Sequence, residues 1–137
     1  METINAVLRF NGYYVKKILF NTDSSALNDK LQIPLAPSFS RSVIKIDDEH
    51  YDLELCIQLK QDDLPFDAEI IVVGSFELSG IKDAESMMKA NATAILYPYV
   101  RSTLSMVTSL AGISPVVIPT INLVRMFEKE EKSVITE

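Results

Sequence analysis

One histidine, one cysteine and four glycines are the chain's sparse equipment for chemistry. His50 stands in "DDEHY" beside Asp47, Asp48 and Glu49, residue types that bind divalent metals. Ligands strung along a single turn rarely converge on one ion, which takes donors from several elements, so a solvated hairpin turn is the preferred reading. Cys56 sits in the middle of an alternating segment with no second histidine to draw on, which fits a packed, inert thiol. Asp62-Asp63 and Glu130-Glu131 are neighbours in sequence, and adjacent side chains diverge where an acid–base pair must converge. Four glycines leave no phosphate-cradling loop. The chain reads as a non-enzyme without metal or cofactor.

The elements that carry these residues are legible from periodicity. "YDLELCIQLK" alternates strictly, with Tyr51, Leu53, Leu55, Ile57 and Leu59 on one face and charged or polar residues on the other. "AEIIVVGSFELSG" puts Ala68, Ile70, Val72, Phe76 and Leu78 on one face, while Ile71 and Val73 share the other with Glu69, Ser75 and Glu77. Apolar residues on both faces predict that the outer face is partly covered. "SVIKI" forms a hairpin with Tyr51–Lys60, and "VLRFNGYYVKKILF" is a fourth strand bent at Asn11-Gly12. On that strand, simple alternation places Tyr13, Val15, Lys17 and Leu19 together. Asn21–Ser38 is a long connection whose Leu31, Ile33 and Leu35 lie against the body. A short helix is expected over Asp83–Ala90, and a long one over about Ala92–Ala111. Gly112 stops the long helix, and its regular part begins near Leu96 because Pro98 must fall in the first turn. A last helix capped by Asn122 runs to about Lys132.

The chain has 137 residues, which fits a single domain over 1–137, and a net charge of −6. That charge disfavours nucleic acid and anionic lipid as partners. The lone cysteine and an N-terminal stretch without a secretory pattern fit a cytoplasmic protein.

Against this acidic background, Ile95–Val124 holds one formal charge, Arg101. Leu96, Val100, Leu104, Val107 and Ala111 form a stripe that a single sheet can bury. The opposite side carries Ser102, Ser105, Thr108 and Ser109 with Arg101 and Met106, where an exposed helix face normally carries several Lys and Glu. Small uncharged residues there predict packing against another protein surface, most simply a second copy. We place an oligomer interface on Leu96, Val100, Ser102, Ser105, Met106 and Ser109. "GISPVVIPTINLV" is an apolar strap that its prolines keep extended. With the last helix it would wall a groove for extended apolar polypeptide. The strap supplies Val116, Val117 and Ile118, the helix Leu123, Met126 and Phe127, and the sheet Phe76 and Leu78. A plain core-covering loop is the alternative.

"ILYPYVRS" followed by "GISPVVIPTINLVRMF" resembles the signature of the SecB family of protein-export chaperones: I-L-[FY]-P-Y-x-R, then G-[FY]-P-x-x-x-[LI]-x-P-[IV]-N-[FL]. Ile95, Leu96, Tyr97, Pro98, Tyr99, Arg101, Gly112, Ile121 and Asn122 match in order and spacing, while Pro115 stands one place later and Pro119 one place earlier than the pattern's prolines. Tyr14, Lys16 and Phe20 match the family's first-strand motif. Gly74, Phe76, Leu78, Gly80 and Ile81 match its G-x-F-x-[IL]-x-G-[IV]. The resemblance implies an α+β fold: a four-stranded antiparallel sheet, a long helix and a short C-terminal helix. It implies a homotetramer, a dimer of dimers, that holds non-native chains in apolar grooves without ATP. It also implies an acidic sheet surface that contacts the translocation ATPase SecA. Two of those acidic positions are Lys17 and Asn21 here, and a third is Glu69, the retained candidate contact. Leu123-Val124 stands where the family has [FL]-D, and the tail "EKSVITE" is shorter than the family's acidic tail. Holding is therefore better supported than coupling to export. Relatives of this family that protect antitoxins in toxin–antitoxin systems give a second reading, and an apolar small-ligand carrier gives a third.

Overall fold

The computed structural model describes residues 7–27, 35–79 and 84–118. Four strands, β1 (Val7–Thr22), β2 (Ser38–Lys45), β3 (His50–Leu59) and β4 (Phe66–Ser79), form one antiparallel sheet in the order β1-β4-β3-β2. β2, β3 and β4 are a meander, and β1 closes the far edge by pairing with β4. The expected Leu31 and Ile33 fall outside the described residues, while Leu35 packs against the core. The helix capped by Asn122, with Leu123, Met126 and Phe127, also lies outside them.

The alternation of β3 is borne out: Tyr51, Leu53, Leu55, Ile57 and Leu59 are buried and their neighbours only partly so. On β4 the inner face, Ala68, Ile70, Val72, Phe76 and Leu78, is buried as expected, and Val73 is buried on the outer face as well. β1 breaks register between Phe10 and Tyr13, at Asn11-Gly12, where Gly12 adopts a φ of +115°. A second break, between Val15 and Lys17, was not anticipated. It corrects the shared face of Tyr13, Val15, Lys17 and Leu19. Tyr13 and Val15 pair with Gly74 and Val72 of the inner face, whereas Lys17 and Leu19 pair with Ile71 and Glu69 of the outer face. The extra residue, Lys16, inverts the alternation.

The helical part is continuous where the sequence predicts two pieces. α1 (Ala84–Met87) passes through a five-residue π turn (Met88–Ala92) into α2 (Thr93–Leu110). The turn presents the Lys89 carbonyl to two side-chain donors, Thr93 Oγ1 at 2.5 Å and Arg41 Nη1 of β2 at 2.7 Å. It also buries Met88 and Ala92. Pro98 lies inside α2 rather than in its first turn. Pro98 and Ala94, whose carbonyl loses its intrahelical donor, are both exposed, so water can satisfy that carbonyl. Gly112 ends α2 as expected, at φ +87°, with Gly112 N donating to Ser109 O (3.2 Å) and Ile113 N to Thr108 O (3.3 Å). These are the paired bonds of a left-handed glycine cap.

The core lies between α2 and the inner face of the sheet. Leu96, Val100 and Leu104 are fully buried there with Phe76 and Leu78. At the point of closest approach the sheet carries Gly74. A Cβ on that residue would stand 2.6 Å from Leu96 Cδ2 and 2.9 Å from Phe76 Cε2.

Candidate functional site

Two surfaces of α2 differ in what covers them. Tyr99, Thr103, Met106 and Leu110 follow one another at steps of four, three and four, and so share a helix face. Tyr99 turns this face toward β1, stacking on Tyr13 at 4.1 Å and approaching Phe10 at 6.0 Å. Phe10 in turn stacks on Phe76 at 5.2 Å. Beyond this aromatic cluster the β1 side is open: Met106 is 57% exposed, Leu110 82%, and Ile18 of β1 51%. The opposite flank faces β2 through Tyr97, 5.9 Å from Phe39.

The strap after Gly112 doubles back onto α2. Ser105 Oγ donates to Val116 O at 2.7 Å, and Val116 N donates to Thr108 Oγ1 at 2.9 Å. Val116 and Ile118 are buried, and Val117 is 60% exposed.

The outer face of the sheet carries the charge. The bulge at Lys16 turns two consecutive lysines toward it. Lys16 Nζ reaches Glu54 of β3 at 2.5 Å, and Lys17 Nζ reaches Glu69 of β4 at 2.5 Å. Glu69 also accepts from Gln58. The hydrogen bonds from Lys17 and then from Gln58 hold the Glu69 carboxyl below its ordinary value. The Lys16–Glu54 pair spans β4, where Val73 is in register between the two strands, so the lysine stem helps cover that buried valine. Arg9 of β1 likewise pairs with Glu77, at 3.5 Å.

At the sheet end, His50 joins the β2–β3 turn to β4. Its Nδ1 lies 2.8 Å from Asp47 Oδ1 and its Nε2 lies 2.9 Å from Glu77 Oε1. A ring facing a carboxylate at both nitrogens must carry both protons to donate to both, so the geometry favours imidazolium. Asp47 Oδ1 also accepts the backbone N–H groups of Glu49 and His50 at 2.9 and 2.8 Å. "DDEH" is therefore an organised turn. Asp48 points away, its side chain 98% exposed, with Lys45 at 3.4 Å. A concavity of about 480 Å³ opens beside it, lined by Asn11, Ile46, Asp47, His50, Tyr51, Asp52, Ser75 and Phe76. Cys56 is half-buried, and burial raises its thiol above the ordinary range.

The expected sites therefore divide. Leu96 and Val100 are corrected from interface to core, since the sheet leaves them no exposed surface. Phe76 and Leu78 lie in the same core rather than on an open groove wall. Val116 and Ile118 point into the core and Val117 points out. Ser105 is engaged by the chain's own strap, while Ser102, Met106 and Ser109 are accessible or partly so. Glu69 is present on the outer face but 8% exposed and held by Lys17. Sequence reasoning missed Tyr13, Val15, Ile18 and Leu110 as exposed apolar residues. The signal for β1 was the "VKKI" doublet, which separates two inward residues by three positions instead of two.

A four-stranded antiparallel sheet covered on one face by a long helix is an α+β fold. A profile of the SecB family, Preprotein translocase subunit SecB, matches residues 2–134, and the chain belongs to that family. A protein-export protein SecB of Saccharophagus degradans is 30% identical over 89 residues, 61% of this chain and 53% of that protein. An uncharacterized protein, MJ0357, of Methanocaldococcus jannaschii is 36% identical over 70 residues, 50% of this chain and 45% of that protein. The chain thus spans about half the length of these curated relatives. Among solved structures, the Mycobacterium tuberculosis SecB-like chaperone Rv1957, in complex with a ChAD peptide from the antitoxin HigA1 (Rv1956), superposes with a TM-score of 0.65. It shares 10% identity, over 83% of this chain and 90% of that one, a likeness of fold. A Streptococcus agalactiae protein of unknown function gives 0.53 at 13% identity, over 84% and 98%. No helix among the described residues is long and apolar enough to cross a membrane.

The His50 bridge has a sign that pH reads. Hydrogen bonding to Asp47 first and Glu77 second raises His50 above its ordinary value. Asp47 is lowered, by the Glu49 amide first and His50 next. The histidine's contribution to stability is complete below about pH 6.5 and is lost as pH rises through its raised value. The aspartate's contribution is present above about pH 4 and is lost as pH falls through its depressed value. The difference in melting temperature between wild type and His50→Gln is predicted to be largest near pH 5–6 and to shrink toward about pH 9. Thermal denaturation across that range measures it, and a difference independent of pH would contradict the bridge.

Proposed function

We propose that this protein is an ATP-independent chaperone, a holdase that binds unfolded or non-native polypeptides and keeps them competent for export or assembly. The family match across residues 2–134 carries the reading. The exposed Val117 of the strap supports it, because exposed apolar surface outside the self-association contact invites another chain. Binding of this kind draws on apolar area rather than on charge or nucleotide. Its setting is the cytoplasm. The test is aggregation of a chemically denatured client, followed by light scattering without nucleotide. The expected outcome is suppression at about one assembly per client, with little loss between low and physiological salt, where exposed ion pairs are screened. Suppression that needs ATP, or that vanishes with modest salt, would remove the proposal.

Dedicated protection of an antitoxin is the second reading. It is favoured by the structural likeness to a SecB-like chaperone that holds an antitoxin peptide.

We further propose a homotetramer, a dimer of dimers. Met106 and Leu110 of α2, with Tyr13, Val15 and Ile18 of β1, supply the apolar contact surface. Met106→Glu should place an unpaired charge in that contact, at a cost of several kcal/mol if it is fully desolvated. Light scattering should then give dimers or monomers, and an unchanged tetramer would move the interface elsewhere.

Coupling to SecA is the weaker part of the reading. Glu69, the acidic position kept from the family pattern, is neutralised within the chain by Lys17. A basic partner would have to compete with that lysine and would meet its charge. Wild type is predicted to bind SecA weakly, and Lys17→Asp with Asn21→Glu to bind it more tightly at low salt. Tight wild-type binding that the double variant does not improve would restore an ordinary export role.

A further inference from the structure

We infer that residues 114–118 are a displaceable strap, occupying in the free protein a clasp on α2 that reads the backbone of extended apolar polypeptide. The inference rests on the chaperone reading above.

The clasp consists of Ser105 and Thr108, three residues apart on one helix flank. Ser105 Oγ donates to the Val116 carbonyl at 2.7 Å, and Thr108 Oγ1 accepts the Val116 N–H at 2.9 Å. Thr108 is fully buried, and its own hydroxyl proton goes to Leu104 O at 2.9 Å. That bond fixes the oxygen as the acceptor for Val116. Together the two hydroxyls meet both backbone groups of one extended residue, as a neighbouring β-strand would. Recognition of this kind takes the main chain and ignores the side chain, which suits clients of varied sequence.

The strap fills the clasp as an apolar client segment would. Val116 and Ile118 point inward and Val117 outward, the alternation of an extended chain. Pro115 brings no N–H that needs a partner, and it favours an extended conformation at Ser114. Gly112 N and Ile113 N close the end of α2 by donating to Ser109 O and Thr108 O, upstream of the strap. The strap can therefore swing from the exposed Ser114 and Pro115 with that cap in place, lifting Val116 and Ile118 from the core.

The probe is reduced, carboxymethylated α-lactalbumin, a permanently unfolded chain, and the readouts are amide exchange by NMR and binding by titration. In free wild type the Val116 amide should be protected. Saturating probe should speed its exchange by about tenfold or more, with the β3 amide of Ile57 unchanged. Unchanged or greater protection of Val116 in the complex would overturn the inference. Val116→Pro removes the donated hydrogen, and Val116→Ala keeps it but weakens the buried seat. The alanine variant keeps the test standing if the proline variant does not fold. Each should bind the probe at least about threefold more tightly than wild type, since an internal competitor lowers apparent affinity by the fraction of molecules it occupies. Equal or weaker binding by the folded variants would overturn it. If neither wild type nor the variants bind the probe at all, the chaperone reading falls, and the strap's role with it.

Discussion

The seat of Leu96 over Gly74 is the contact on which the other surfaces depend. Leu96 leaves no space for a Cβ on β4 at that point, so a larger residue there must displace the Leu96 or Phe76 side chain from its seat. The position of α2 then follows. Val100 and Leu104 fall into the core one and two turns later, and Tyr99 is brought onto Tyr13. With one stripe buried and one flank stacked on β1, Met106 and Leu110 can only emerge on the open side. The Arg41 bond to the Lys89 carbonyl, beside that of Thr93 Oγ1, ties the other end of the same helix to β2.

Charge on the sheet is organised by one inserted residue. Without the bulge at Lys16, one of two adjacent lysines would point into the apolar face of β1. With it, both turn outward and each meets a carboxylate. The acidic character of the chain is therefore muted on this face, because Glu54, Glu69 and Glu77 each have a cation from the edge strand. An edge strand that carries two bulges and paired lysines is also poorly shaped for indiscriminate strand pairing. On the helix side Tyr13, Val15, Ile18, Met106 and Leu110 are exposed.

The sheet was legible because its strands obey a period of two and its core face is strictly apolar. Tyr51–Leu59 is the clearest instance. Gly112 was legible as a stop because few other residues accept a left-handed backbone. What the sequence hid was interaction between elements. Pro98 looked like a first-turn residue, and nothing local announced that the helix continues upstream through a π turn held by Arg41. Leu96 and Val100 read as both core and interface until the sheet was seen to cover them completely. The serines of α2 signalled close packing correctly but not its partner. For Ser105 that partner is the chain's own Val116, eleven residues further on. The clasp depends on how the chain returns after Gly112, and no spacing rule encodes that return.

In the proposed holdase, exposed apolar surface on the helix-on-sheet frame recognises non-native chains by what folding normally hides. The direct measurement is calorimetric titration of one and the same client protein in its native form and in a permanently unfolded form, at several temperatures. Binding of the unfolded form with a negative heat-capacity change, and no heat from the native form, is the predicted result. Equal binding of the native form, or binding of the unfolded form with no heat-capacity change, would contradict it.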